Sequence, residues 1–82
     1  MKTEKVIGMV KHYTLSRITG ESRFDVYVVW HCYILGNEKW LLATTLPDGM
    51  YYEVTYDKNE DKFYFDAYKK VETRRYGGTV VL

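Results

Sequence analysis

The stretch Phe24-Asp25-Val26-Tyr27-Val28-Val29-Trp30-His31-Cys32-Tyr33-Ile34-Leu35 alternates along most of its length and is rich in β-branched and aromatic side chains. Side chains of a strand point alternately to its two faces, so this pattern predicts a long half-buried strand. Phe24, Val26, Val28, Trp30, Cys32 and Ile34 form its expected core face, and Asp25, Tyr27, Val29, His31 and Tyr33 its other face. The rest of the fold follows from what can pair with this strand.

Downstream, Gly36-Asn37-Glu38 has turn chemistry, and Lys39 to Leu46 returns with Trp40, Leu42 and Leu46 in phase. Pairing Ile34 with Trp40 closes that hairpin. Leu46-Pro47-Asp48-Gly49-Met50 predicts a three-residue loop, with proline fixing the first turn residue and glycine taking the left-handed position. That loop sets Thr44 opposite Tyr52, Leu42 opposite Val54 and Trp40 opposite Tyr56. A last hairpin pairs Tyr56 with Phe63 and Val54 with Phe65, leaving Asp57 opposite Lys62 at the loop mouth.

The ends read less sharply. Lys5 to Thr14 is expected as a further strand, with either Val6, Val10 and His12 or Ile7, Met9 and Tyr13 turned inward. Ser16 to Ser22 is the connection. The fold class predicted is all-β, a small antiparallel meander of about five strands that curls or closes into an SH3-like partial barrel. The alternative is α+β. Phe63, Ala67 and Val71 recur at four-residue spacing before Gly77-Gly78, which fits a C-terminal helix at about 66–76 covering the sheet. One domain spans 1–82, with 78–82 a flexible or docking tail and Thr79 to Leu82 a candidate edge strand. A lone apolar sheet face needs a second layer, so a face-to-face homodimer is a third way of covering it.

Eighty-two residues with 46% hydrophobic and 28% charged side chains form a globular chain with one modest core. No apolar run reaches membrane-spanning length, and Met1 is followed by Lys2-Thr3-Glu4-Lys5, so a cytoplasmic protein without a secretory signal is expected. The lone Cys32 excludes an internal disulfide and, placed on the core face, reads as a small buried hydrophobe. His12 and His31 have no zinc-ligand spacing, and neither a phosphate loop nor a nucleophile elbow is present, so no metal, cofactor or enzymatic activity is expected. A formal net charge of +1 argues against a protein held to long nucleic acid by charge alone. Charge is nevertheless segregated: residues 48–66 carry six acids, and Lys69, Lys70, Arg74 and Arg75 follow.

The aromatic content of 17%, with nine tyrosines, is the compositional anomaly. The proposed registers align the non-core face in rows: His31, Ala43, Glu53 and Asp66; Tyr33, Leu41, Thr55 and Tyr64; Val29, Thr45, Tyr51 and Tyr68. A Glu53–Asp66 pair would thus stand inside a tyrosine frame, with His31 leaning toward it. Tyrosine offers large rigid contact area with a polar tip and suits protein interfaces; beside basic residues it also stacks nucleobases. The expected function is a non-enzymatic protein–protein interaction module or stoichiometric inhibitor acting through this face or a strand edge. A small accessory protein of phage or mobile-element type fits that size. The alternative is a nucleotide or single-stranded nucleic-acid binder, with Tyr33, Tyr51, Tyr64 and Tyr68 stacking bases and the basic residues meeting phosphates. The candidate binding residues are Tyr27, His31, Tyr33, Tyr51, Glu53, Tyr64, Asp66, Tyr68, Lys69, Lys70, Arg74 and Arg75.

Overall fold

A computed structural model describes residues 2–18 and 23–79. Helix α1 (Lys2–Arg17) precedes strands β1 (Val26–Ile34), β2 (Asn37–Thr44), β3 (Met50–Asp57) and β4 (Lys62–Lys69). The strands form one antiparallel sheet in chain order, β1-β2-β3-β4, and the sheet is open rather than closed into a barrel. The expected first strand is therefore a helix, and the helix expected at the C-terminus is absent: β4 runs to Lys69, and 70–79 is exposed without helix or strand. Residues 80–82, which carry most of the candidate edge strand, lie outside the described residues, as do 19–22 of the connection.

The helix resolves the ambiguity of the first segment. Val6, Val10 and Thr14 are buried, and Ile7, Met9 and Tyr13 pack partly around them, so members of both candidate inward sets lie on one side. A period of two cannot bring Val6, Met9, Val10 and Tyr13 together, whereas spacings of three and four do so on a helix. Glu4 in the first turn and Arg17 in the last complement the helix dipole. Trp40 Nε1 donates to Thr3 Oγ1 at 3.2 Å, which ties the start of α1 to the sheet.

The β3–β4 register is Tyr56↔Phe63, Val54↔Phe65 and Asp57↔Lys62, the arrangement read from the sequence. The β2–β3 register differs by two residues: Trp40 lies opposite Val54 and Leu42 opposite Tyr52. A slip of two preserves the faces, which is why the core assignment of these strands survives it. Its cause is a longer connection. Thr45 N–H donates to Asp25 O at 3.0 Å, and Asp48 Oδ1 accepts from the Met50 amide at 3.1 Å, so Thr45 to Gly49 all belong to the loop.

The β1–β2 hairpin departs further. Its turn is Leu35-Gly36, both at positive φ (49° and 80°), and it sets Ile34 opposite Asn37. Two residues with positive φ match the type I′ connection favoured by strand twist, at the cost of holding a leucine in the left-handed region. The expected pairing of Ile34 with Trp40 is thus displaced by an odd number of residues, which exchanges the faces of the turn-proximal half. His31 then lies opposite Trp40 and Tyr33 opposite Glu38. A bulge between Val28 and Trp30 restores the phase, so Val28 opposes Leu42 and Val26 opposes Thr44. Trp30, Cys32 and Ile34, assigned to the core from their alternation, are exposed on the other face.

The core lies between α1 and one sheet face. Val6 and Val10 of α1 meet Trp40, Leu42, Tyr52 and Val54, all fully buried. Tyr13 stacks edge-on to Tyr52 and tilts against Phe65, with ring centroids 5.7 and 5.1 Å apart. Layering stops there. The described molecule measures 44 × 40 × 16 Å. Its radius of gyration is 15.3 Å, against about 12 Å for a compact chain of this length.

Candidate functional site

The face of the sheet turned away from α1 has no covering layer among the described residues. Register alone assembles it. Tyr27, Ala43, Tyr51 and Tyr68 form one row; Trp30, Leu41, Glu53 and Asp66 the next; Cys32, Lys39, Thr55 and Tyr64 a third. Trp30 is 40% exposed, Tyr27 50% and Tyr68 53%, whereas Ala43 in their midst is covered to 3%. Large exposed aromatics thus stand around the smallest residue of the face, with the polar groups of Glu53, Asp66 and Lys39 beside them. Monomeric proteins rarely leave clustered aromatic surface of this kind uncovered unless it binds something.

Of the residues singled out from the sequence, Tyr27, Tyr51, Glu53, Tyr64, Asp66 and Tyr68 share this face. His31 and Tyr33 do not; the Leu35-Gly36 turn places both on the helix side. Lys69 ends β4 opposite Met50 on the helix-side phase, and Lys70 donates its amide to Gly49 O at 2.8 Å. Arg74 and Arg75 belong to the exposed segment beyond, where Arg74 Nε pairs with Glu72 at 3.2 Å. The Glu53–Asp66 pair is present as expected, directly cross-strand. His31 is not its neighbour; Lys39 Nζ, 3.7 Å from Glu53 Oε2, supplies the compensating charge. Asp66 has no basic partner among the described residues. Trp30 and Cys32 are additions that alternation hid, because the bulge that sets them out of phase with Val26 and Val28 leaves no compositional mark, whereas Leu41 lies on this face as its alternation predicts.

A second polar cluster sits at the turn end of the helix-side face. Glu38 is buried, and His31 Nε2 donates to its Oε2 at 2.6 Å while Lys2 Nζ lies 3.7 Å from Oε1. The His31 ring stacks on Trp40, centroids 4.8 Å apart with planes 6° from parallel. The Glu38 carboxylate, as a hydrogen-bond acceptor first and as a negative charge second, pushes the Tyr33 phenol pKa above its ordinary value. The Lys2 ammonium also lies over the Tyr56 ring at 4.6 Å. A recess of about 350 Å³ beside the cluster is lined by Lys2, Tyr33, Glu38, Tyr56 and Lys58, among others. Glu38 escaped the sequence reading because it was counted as part of a turn. Through Lys2 and His31 it ties α1 to β1 and β2.

Among the described residues, no group of three or more His, Cys, Asp or Glu side chains is placed to hold a metal ion, and no helix is long and apolar enough to cross a membrane. No curated protein and no solved structure matches the chain. A family model matches residues 2–77, a span that runs from the first residue of α1 through β4 and most of the segment beyond it. By that match the chain belongs to the family of unknown function DUF6275.

Proposed function

We propose that this chain is a non-enzymatic protein-binding module, or a stoichiometric inhibitor, that docks a protein partner on the open face of its sheet. The carrying observation is the exposed aromatic surface of Tyr27, Trp30, Tyr64 and Tyr68, with half-buried Tyr51 on the same face. Aromatic anchors around a small covered centre supply most of the energy of typical protein interfaces. The partner's chemistry follows from the polar groups in the patch. Glu53 is already met by Lys39, while Asp66 has no basic partner among the described residues, so the complementary surface is apolar with one basic side chain over Asp66.

Trp30 makes the reading measurable, since it is exposed on this face while Trp40 is fully buried. A purified partner should change Trp30 fluorescence on titration. The Tyr27→Ala/Tyr51→Ala/Tyr68→Ala variant should retain the circular dichroism of the wild type and bind at least about 100-fold more weakly, the scale of hot-spot truncation. Unchanged affinity in a folded variant would overturn the choice of face.

One observation favours a second reading. The basic residues Lys69 and Lys70 follow Tyr68 directly, and Arg74 and Arg75 lie in the exposed segment that continues from it. Bases stacked on Tyr51, Tyr64 and Tyr68 would bring phosphates toward this segment. Binding of a short single-stranded oligonucleotide that falls steeply with salt would support a nucleotide or nucleic-acid ligand; an absence of binding at low salt would remove it.

A further inference from the structure

The two outer strands of the sheet present different edges. β1 is interrupted by the bulge at Val29, a feature that blunts an edge against further pairing. β4 pairs without register shifts over its whole length, and among the described residues no strand pairs with its outer edge. The Lys70 amide bonds to Gly49 O, in line with the β3–β4 register, so Tyr68, Asp66 and Tyr64 also exchange backbone bonds with β3. By the same alternation, the N–H and C=O groups of Phe63, Phe65, Ala67 and Lys69 point away from the sheet. An apolar groove of about 290 Å³ flanks this edge, lined by Met9, His12, Tyr13 and Ser16 of α1 and by Phe65 of β4, with no residue of β1, β2 or β3.

We infer that the outer edge of β4 is a homotypic strand-pairing site, joining two copies of the chain into one continuous eight-stranded sheet about a two-fold axis at Phe65. The inference deepens the binding-module reading by assigning the strand edge to self-association, and it leaves the open face for other partners. The occupant and register follow from side-chain complementarity. Phe65 faces Phe65 of the second copy and Phe63 faces Ala67, all on the helix side beside the two apolar grooves. On the open face Tyr64 lies opposite Asp66, which lacks a basic partner among the described residues, and Lys62 lies opposite Tyr68. The pairing spans Lys62 to Tyr68 and forms about six backbone hydrogen bonds. Centring the axis on Asp66 would oppose Asp66 to Asp66 and Lys62 to Lys70, like charges in direct contact. Centring it on Tyr64 shortens the ladder to about four bonds.

Backbone direction makes the test selective. Ala67→Pro removes an N–H that points outward and costs no bond to β3, whereas Tyr68→Pro removes one that the β3–β4 ladder uses. Sedimentation of the wild type from micromolar to millimolar concentration should show a monomer–dimer equilibrium. Ala67→Pro should weaken it roughly tenfold or more with the fold retained, and Tyr68→Pro should unfold the chain. Amide exchange of the wild type gives an answer even if Ala67→Pro misfolds: the Phe65 and Ala67 amides should gain protection as concentration rises. A wild type that stays monomeric at millimolar concentration, or a dimer whose Phe65 and Ala67 amides exchange freely, overturns the inference. Tyr27→Ala/Trp30→Ala, on β1 at the opposite edge of the sheet, should leave dimerisation intact. If that variant abolishes the dimer, the open face is the homotypic surface and the edge assignment falls. Loss of partner docking in the same variant with the dimer intact would uphold both readings.

Discussion

The two faces of this sheet are built from nearly the same residue types yet do different physical work. On the helix side Trp40, Tyr52, Phe63 and Phe65 are packed with Val6, Val10 and Tyr13 of α1, and the two residues named first lose all contact with water. On the open side Tyr27, Trp30, Tyr64 and Tyr68 remain substantially exposed. Aromatic content therefore says little about which face is core; the position of the single covering helix decides it. The comparison also shows where the molecule is stabilised, since burial of apolar area scales with the face that α1 reaches.

The sharpest way to break this contrast is to truncate one tryptophan at a time. Trp40→Ala should destabilise the chain by about 3–5 kcal/mol, because it removes a fully buried ring and leaves a cavity under α1. Trp30→Ala should change stability by about 0.5 kcal/mol, as expected for an exposed position. Denaturant unfolding followed by circular dichroism compares the two. Equal costs would mean that the open face is covered in solution, by a second copy or by the chain itself.

A smaller effect is expected at Glu38, the buried acid that links His31 and Lys2. Glu38→Ala strips these donors of their acceptor and should cost about 1–3 kcal/mol in thermal or denaturant unfolding. The same carboxylate predicts a pH signature. As acceptor and then as charge, Glu38 favours the protonated phenol of Tyr33 and raises its pKa, so this contribution to folding is complete below the ordinary tyrosine range and is lost as pH rises through the raised value. Tyrosinate absorbance should show one phenol titrating earlier in Glu38→Ala than in the wild type. No change in that titration would place Tyr33 away from Glu38 in solution.

At the hairpin that sorts β1 between the faces, Leu35 holds φ at 49° and is almost wholly exposed. Leu35→Gly should stabilise the chain by about 1 kcal/mol, because glycine enters the left-handed region without steric cost and nothing packs on the leucine. A loss of stability would show that the leucine makes contacts beyond those of the single chain. The smallest perturbation is chemical. Cys32 is exposed, so a thiol reagent should label the folded protein at a rate within about tenfold of the unfolded chain. Strong protection would instead support the buried cysteine that alternation predicted.

Much of the sheet could be read from the sequence because β3 and β4 carry signals of several kinds at once. Tyr56 with Phe63, Val54 with Phe65 and the Asp57–Lys62 pair at the loop mouth all demand one register. The β2–β3 loop was less legible, since Pro47 and Gly49 mark a turn without stating whether Thr45 belongs to a strand or to Asp25. Helix α1 was missed because Val6, Ile7, Met9 and Val10 can be sorted by a period of two, and only their joint burial identifies a period near 3.6. The candidate site was legible in part for a related reason. Tyr51, Glu53, Tyr64, Asp66 and Tyr68 lie on strands whose phase was right, whereas His31, Tyr33, Trp30 and Cys32 lie beyond a change of phase that no side chain announces.

That change of phase has a consequence for how the chain tolerates alteration. At Val29 the protein holds a count of residues rather than a particular side chain. Substitutions there should be absorbed, since the position is outside the regular ladder and partly exposed. Deleting the residue would rotate everything between it and the start of β1 by half a period, turning Val26 and Val28 outward and Tyr27 toward α1. In related chains, therefore, the spacing between the Leu35-Gly36 turn and Val28 should be held fixed even where the residue occupying position 29 drifts freely.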